Sequence, residues 1–202
     1  MVLFPTKRDA VVKLCANMPI SKLKDEEWIV ISLSENGSYF AEGIAEKIDG
    51  KFEYLFSQGI FAPNNKECAV AVVSETEEIV LNKELIDAFE IELDYIYGEA
   101  KRNHDEKILA NMYKFRKGEM LQNLNGKSVI LVDEGADTGL TLMAALKTVM
   151  NMQVHKVAVA IPVVPKSVVA ELSKIVDDVY YVHQIENYVA SKHYYGKECT
   201  EL

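Results

Sequence analysis

The stretch VILVDEGADTGLTLMAAL, Val129–Leu146, decides the fold. Its first four residues form an uninterrupted apolar run, the pattern of a strand buried on both faces. Asp133 and Glu134 end that run, a turn of small residues follows from Gly135, and from Thr138 to Met150 the pattern becomes helical. A strand that hands over to a helix through such a turn aims the first N–H groups of the helix at one point, where the helix dipole favours an anion. Thr138 and Thr141 add hydroxyl donors. Two acids cannot hold a phosphate, but carboxylates accept hydrogen bonds from a vicinal diol. Diol beside phosphate describes a ribose 5-phosphate. The plainer reading makes Asp133 and Glu134 ordinary strand-end acids and Asp137 the cap of the helix. It leaves unexplained why three acids fall within five residues, 133–137.

Working outward, strands and helices alternate. Residues 7–17 suit an amphipathic helix through Val11, Val12, Leu14 and Cys15; EWIVISLS reads as a buried strand, and ENGSYFAEGIAEKIDG as a turn and a helix stopped at Gly50. KFEYLF is the next strand, and CAVAVVS and EEIVLN pair as a hairpin. Asn82–Arg116 contains almost no breaker and reads as one long or two broken helices. Its Lys101, Arg102, Lys107, Lys114, Arg116 and Lys117 read as a solvated face with partners four residues away. After the decisive stretch come the strand KVAVAIPVV, the helix PKSVVAELSKI with proline near its first position, and the strand DDVYYVH. This order predicts an α/β fold: a mostly parallel central sheet with helices on both faces and a small hood or lid region. The expected organisation is a single domain over residues 1–202, with 83–117 as a long helical, lid-like region.

Composition bounds the function. The chain has 202 residues, 49% of them apolar, enough for a sizeable core. Lysine and arginine number 22 against 31 acids, and the net charge of −9 argues against nucleic acid as a partner. Only Arg8, Arg102 and Arg116 supply the guanidinium that usually clamps phosphate. The start has no secretion-signal pattern and no run is long enough to span a bilayer, so the expected location is the cytoplasm, with no membrane partner. Cys15, Cys68 and Cys199 are too scattered for a disulfide framework. Cys15 and Cys68 read as small core residues, and Cys199 beside His183 and His193 matches no metal-ligand spacing.

The decisive stretch resembles the phosphoribosylpyrophosphate (PRPP) motif of type I phosphoribosyltransferases: apolar strand, two acids, two small residues, then T-G-x-T. The order of IVLNKEL, the long helix, VAVAIPVVPKSVV, VDDVYYV and NYVASKHYYG is similar to that of a group of bacterial phosphoribosyltransferase-like sequences. The resemblance implies a phosphoribosyl transfer from PRPP, with Mg2+, to a nitrogenous base. It implies that Asp133 and Glu134 hold the ribose diol and that Asp137, Thr138, Gly139, Leu140 and Thr141 hold the 5-phosphate. D-T-G at Asp137 is similar to the enzymes acting on 6-oxopurines, where that aspartate takes part in proton transfer; Asp137 is therefore the candidate catalytic residue. A homodimer is the assembly the resemblance suggests, and no residue is assigned directly to metal.

Two departures from the motif matter. Family members carry basic residues after the first two strands, where this chain has LSENGS, Leu33–Ser38, and FSQGIFAP, Phe56–Pro63, so that Glu35, Ser57 and Gln58 stand where positive charge is expected. Asn36, Gly37 and Ser38 are the candidate pyrophosphate loop, donating hydrogen bonds in place of charge. The lysine that purine enzymes place on the next strand is matched by Val164, with Lys166 two residues on. These departures support an alternative, a catalytically degenerate PRPP- or nucleotide-binding regulatory protein. Tyr188, Tyr194 and Tyr195 are either an aromatic lid over a base or a buried tail. A flavodoxin-like or nucleotide-dependent oxidoreductase is disfavoured by the absence of G-x-G-x-x-G and G-x-x-x-x-G-K-[ST].

Overall fold

The computed structural model describes residues 2–196, so Cys199 lies outside the described residues. The chain divides into two compact units. The first comprises the residues up to Tyr54, Leu124–Gly139 and the chain from Gln153 onward. Its centre is a five-stranded parallel sheet of β1 (Trp28–Ser32), β2 (Lys51–Tyr54), β6 (Ser128–Val132), β7 (Lys156–Pro165) and β8 (Asp178–Ile185), in the order β2-β1-β6-β7-β8. The register is regular, with Val30 opposite Phe52 on one side and Ile130 on the other, and Ile130 opposite Ala158. Every residue of β1 and β6 is buried, as their unbroken apolar runs require.

Helices α1 (Lys7–Ala16) and α3 (Ser38–Ile48) cover this sheet through Leu14, Phe40, Ile44 and Ile48, which join Val30, Ile130 and Ala160 in one core. The i, i+4 spacing of Phe40, Ile44 and Ile48 puts all three on the buried face. Thr6 caps α1 by accepting from the N–H of Asp9 at 3.0 Å. Helix α3 stops one residue earlier than the glycine signal suggests: Asp49 takes the left-handed conformation, φ 57°, and Gly50 is there for space, since a Cβ would lie 3.0 Å from the Trp28 carbonyl oxygen. A short helix, α2 (Ile20–Leu23), links α1 to β1, and α8 (Lys166–Leu172) lies between β7 and β8. Pro165 is both the last residue of β7 and the N-cap of α8, not the first helical residue.

The second unit comprises Leu55–Asn123 and Leu140–Met152. Its sheet is antiparallel, in the order β3 (Ser57–Ala62), β4 (Asn65–Ser74), β5 (Ile79–Leu81). The hairpin of CAVAVVS with EEIVLN is present as β4 and β5, and the FSQGIFAP stretch supplies strand β3. Helix α7 (Leu140–Asn151) packs Leu140 and Ala144 against Val72 and Val80. The long breaker-free region is α4 (Lys83–Ala88), α5 (Leu93–Asn103), a π-helical turn (His104–Ile108) and α6 (Leu109–Arg116).

Within this unit Arg116 corrects the reading of its helix as a uniformly solvated basic face. Lys101 pairs with Asp105 and Arg102 with Glu99 at the surface, but the Arg116 Nη2 donates to both carboxylate oxygens of Glu75, at 2.6 and 2.7 Å. Both side chains of that pair are buried, and the guanidinium lies 5.0 Å from the Phe56 ring centre. Glu75 also accepts from the Phe56 N–H, and its carbonyl oxygen contacts His104 Nε2 at 3.1 Å. No helix among the described residues is long and apolar enough to cross a membrane.

Candidate functional site

The strand order reverses between β1 and β6: β1 runs through α3 to β2 on one side, and β6 through α7 to β7 on the other. In open parallel sheets the crevice beyond such strand ends is where ligands bind. Two loops meet there, Leu33–Gly37 after β1 and Asp133–Gly139 after β6. The Leu33 N–H continues the ladder to the Val132 carbonyl at 3.0 Å, and immediately beyond it the side chains take over.

Ser34 is the residue that joins the loops, and nothing in its sequence context singled it out. Its Oγ accepts from the Gly37 N–H at 2.8 Å and donates to Asp133 Oδ1 at 2.6 Å; the same carboxylate oxygen accepts from the Glu134 N–H at 2.8 Å. Gly37 must be glycine for this contact, because a Cβ would come within 2.9 Å of Asp133 Oδ1 and 3.0 Å of Ser34 Oγ. The Gly37 N–H is thus already engaged, and the Ser38 hydroxyl donates to the Glu35 carbonyl at 2.8 Å, so two of the three residues of the candidate pyrophosphate loop direct donors to the loop itself. Asn36 turns the other way: its amide donates to Glu134 Oε1 at 3.5 Å and its Oδ1 accepts from Lys7 Nζ at 3.5 Å.

Desolvation dominates the electrostatics of this crevice. It pushes the Asp133 carboxyl up to about 7, helped by the charges of Glu134 and Asp137 and opposed by the Ser34 hydroxyl and the Glu134 N–H. Glu134 is raised by desolvation and by Asp137, with Lys7 and the Asn36 amide pulling the other way.

Asp137 stands apart from these two acids. It is exposed rather than partly buried, and its Oδ1 accepts from the Ser191 N–H at 3.0 Å, the Ser191 hydroxyl at 2.7 Å and the Tyr188 hydroxyl at 3.2 Å. The chain from Tyr188 to Tyr195 is thereby tied to the loop, and Tyr195 adds a 2.6 Å hydrogen bond to the Glu134 carbonyl. A Cβ on Gly135 would collide with Ser191 Oγ, which explains the glycine at that point. Tyr194 and Tyr195 are buried in the core with Phe4 and Phe40, as the tail alternative requires; Tyr188 is the one of the three whose hydroxyl meets Asp137.

Thr138 is exposed, Gly139 has φ +75°, and Leu140 and Thr141 open α7. The helix therefore starts at Leu140 rather than Thr138, leaving Thr138 and Gly139 in the loop. Val164 is fully buried in β7, and Lys166 lies 3.7 Å from Glu186 at the surface. Cys15 is buried as expected, whereas Cys68 is only half-buried. Among the described residues no group of three or more His, Cys, Asp or Glu side chains is arranged to hold a metal by itself.

A parallel α/β sheet with paired acids and a glycine–threonine loop at its switch point is the class that fold and site define. The chain belongs to the phosphoribosyl transferase domain family, whose model matches residues 8–195. It is 24% identical over 179 residues to a Mycobacterium tuberculosis (strain ATCC 25618 / H37Rv) protein named provisionally as a phosphoribosyl transferase, an alignment covering 89% of this chain. The chain spans about 40% of the length of that curated relative. Among solved structures it is similar to the protein TT1426 from Thermus thermophilus, with a TM-score of 0.73 and 28% identity, covering 96% of this chain and 90% of that one. The purine phosphoribosyltransferase of Pyrococcus horikoshii Ot3 shares the fold, with a TM-score of 0.52 and 14% identity over 93% of this chain and 90% of its own.

Proposed function

We propose that this chain binds PRPP and transfers its phosphoribosyl group to a nitrogenous base, with a 6-oxopurine as the acceptor class. The observation that carries this reading is the Ser34–Asp133–Glu134 cluster at the β1/β6 switch point, followed in the chain by the Asp137–Gly139 turn that leads into α7. Asp133 and Glu134 accept the ribose hydroxyls, and the loop N–H groups and threonine hydroxyls take the 5-phosphate.

Mg2+ enters as the complex of PRPP. A metal bound by substrate phosphates needs only one or two protein carboxylates, and the Asp133–Glu134 pair fits that donor set. In the reaction the bond from ribose C1 to the pyrophosphate oxygen breaks, its electron pair leaving on that oxygen, and the acceptor nitrogen's lone pair forms the new bond to C1. The proton lost by the acceptor passes to the Asp137 carboxylate, whose orientation Ser191 and Tyr188 fix through Oδ1.

The test is pyrophosphate release by purified protein with PRPP, Mg2+ and a panel of purines and pyrimidines. Release that depends on a 6-oxopurine supports the reading; no release with any base removes transferase activity. Glu35, standing where family members carry positive charge, favours a second reading in which the chain binds phosphoribosyl compounds without turnover. Saturable binding without release is its signature.

A further inference from the structure

The site as built from the β1 and β6 loops has an excess of negative charge. Glu35, Asp133, Glu134 and Asp137 all lie on those two loops, and a pyrophosphate group brought among them needs a cation. The candidate loop itself has none, because Asn36, Gly37 and Ser38 are uncharged. The structure brings one from elsewhere in the chain.

Lys7 is the first residue of α1, held at the N-terminal end of that helix by the Thr6 cap. The strand-like segment before it is tied down independently: the Leu3 and Phe4 N–H groups both donate to the Tyr194 carbonyl, the Gly196 N–H donates to the Phe4 carbonyl, and the Phe4 ring stacks on Tyr195. Tyr195 in turn is bonded to the Glu134 carbonyl. Both ends of the described chain are therefore fastened to the loop after β6. The result is that Lys7 Nζ reaches Asn36 Oδ1 at 3.5 Å while Asn36 Nδ2 reaches Glu134 Oε1 at the same distance.

We infer that Lys7 is the cation that receives the pyrophosphate arm of the donor, held against Asn36 of the loop after β1. The inference rests on the phosphoribosyl reading above and deepens it. The Lys7–Asn36 contact is long and its acceptor is a neutral amide, so the ammonium group can exchange Asn36 for a phosphate oxygen. Its positive charge already acts on Glu134, holding that carboxyl lower than burial alone would. The leaving oxygen gains charge as the bond to C1 breaks, and an ammonium group beside it stabilises that charge more in the transition state than in the bound donor. A lysine supplies this as a point charge, without the bidentate geometry an arginine would impose.

The experiment compares two ligands on three proteins by isothermal titration. PRPP with Mg2+ carries the pyrophosphate; ribose 5-phosphate has the same sugar and 5-phosphate without it. Lys7→Gln is expected to weaken PRPP by about tenfold or more, the scale of one charge-assisted hydrogen bond, while changing ribose 5-phosphate by less than about twofold. Lys7→Arg is expected to restore most of the PRPP affinity. Equal loss for both ligands would mean that Lys7 only supports the loop, and no loss for either would mean that it does not meet the donor; each result overturns the assignment while leaving the phosphoribosyl reading intact. If the unsubstituted protein binds neither ligand, the phosphoribosyl reading fails and the role of Lys7 falls with it.

Discussion

Ser34 Oγ donates to Asp133 Oδ1 over 2.6 Å, joining the end of β1 to the end of β6 at the point where the strand order reverses. Because the same oxygen of Ser34 also satisfies the Gly37 N–H, its removal strands a donor on one side and strips a hydrogen bond from a desolvated carboxylate on the other. Ser34→Ala is therefore expected to lower stability by roughly 1–3 kcal/mol and to weaken binding of phosphoribosyl compounds. Urea denaturation followed by circular dichroism measures the first effect and titration the second. A variant as stable and as tight as the parent would show that the bridge is incidental.

The pressure on Asp133 gives a pH signature of definite sign. Desolvation raises its folded-state pKa from 3.8 to about 7, so the folded protein holds this proton more tightly than the unfolded chain does. Its contribution to stability is therefore unfavourable above pH 7 and fades as pH falls toward 4. Asp133→Asn keeps an acceptor for Ser34 and Glu134 but removes the charge. It is expected to be more stable than the parent at pH 8, by on the order of 2–4 kcal/mol, and nearly equal to it at pH 4. The same substitution is expected to weaken ribose binding, so stability and function move in opposite directions. Thermal melts at the two pH values check the sign; a variant less stable at pH 8 contradicts the desolvated charge.

In the second unit the buried Glu75–Arg116 pair sets the expectation. Arg116→Met leaves a carboxylate buried without its cation and is expected to cost about 3–5 kcal/mol, whereas Glu75→Gln combined with Arg116→Met removes both charges and costs less. Denaturant titration of the parent, the single and the double variant measures the difference. A double variant less stable than Arg116→Met alone would contradict the cost assigned to the unpaired buried carboxylate.

Much of this was legible in the sequence, for physical reasons that differ from element to element. VILV and AVAIPVV are apolar at every position, and only a strand covered on both faces calls for that, so the parallel sheet followed directly. Asp133, Glu134 and the Gly–Thr turn were visible because motif and strand end coincide within a few residues. Ser34, Ser191 and Lys7 were not, because each reaches the site from far along the chain: the Ser34–Asp133 contact spans 99 residues and the Ser191–Asp137 contact 54. A serine or a first-turn lysine carries no local signal of such a partner. Strand β3 lies in a stretch punctuated by Gly59 and Pro63, and Arg116 differs from its basic neighbours Lys114 and Lys117 only through Glu75, a buried partner 41 residues away in the chain.

The central claim is that the crevice between the ends of β1 and β6 holds a phosphoribosyl group. Titration of the purified protein with PRPP and Mg2+, alongside the Asp133→Asn, Glu134→Gln double variant, tests it most directly. The account predicts saturable one-to-one binding by the parent and a loss of about tenfold or more in the double variant, whose fold remains intact by circular dichroism. Absence of binding by the parent, or equal affinity of the two proteins, would contradict it.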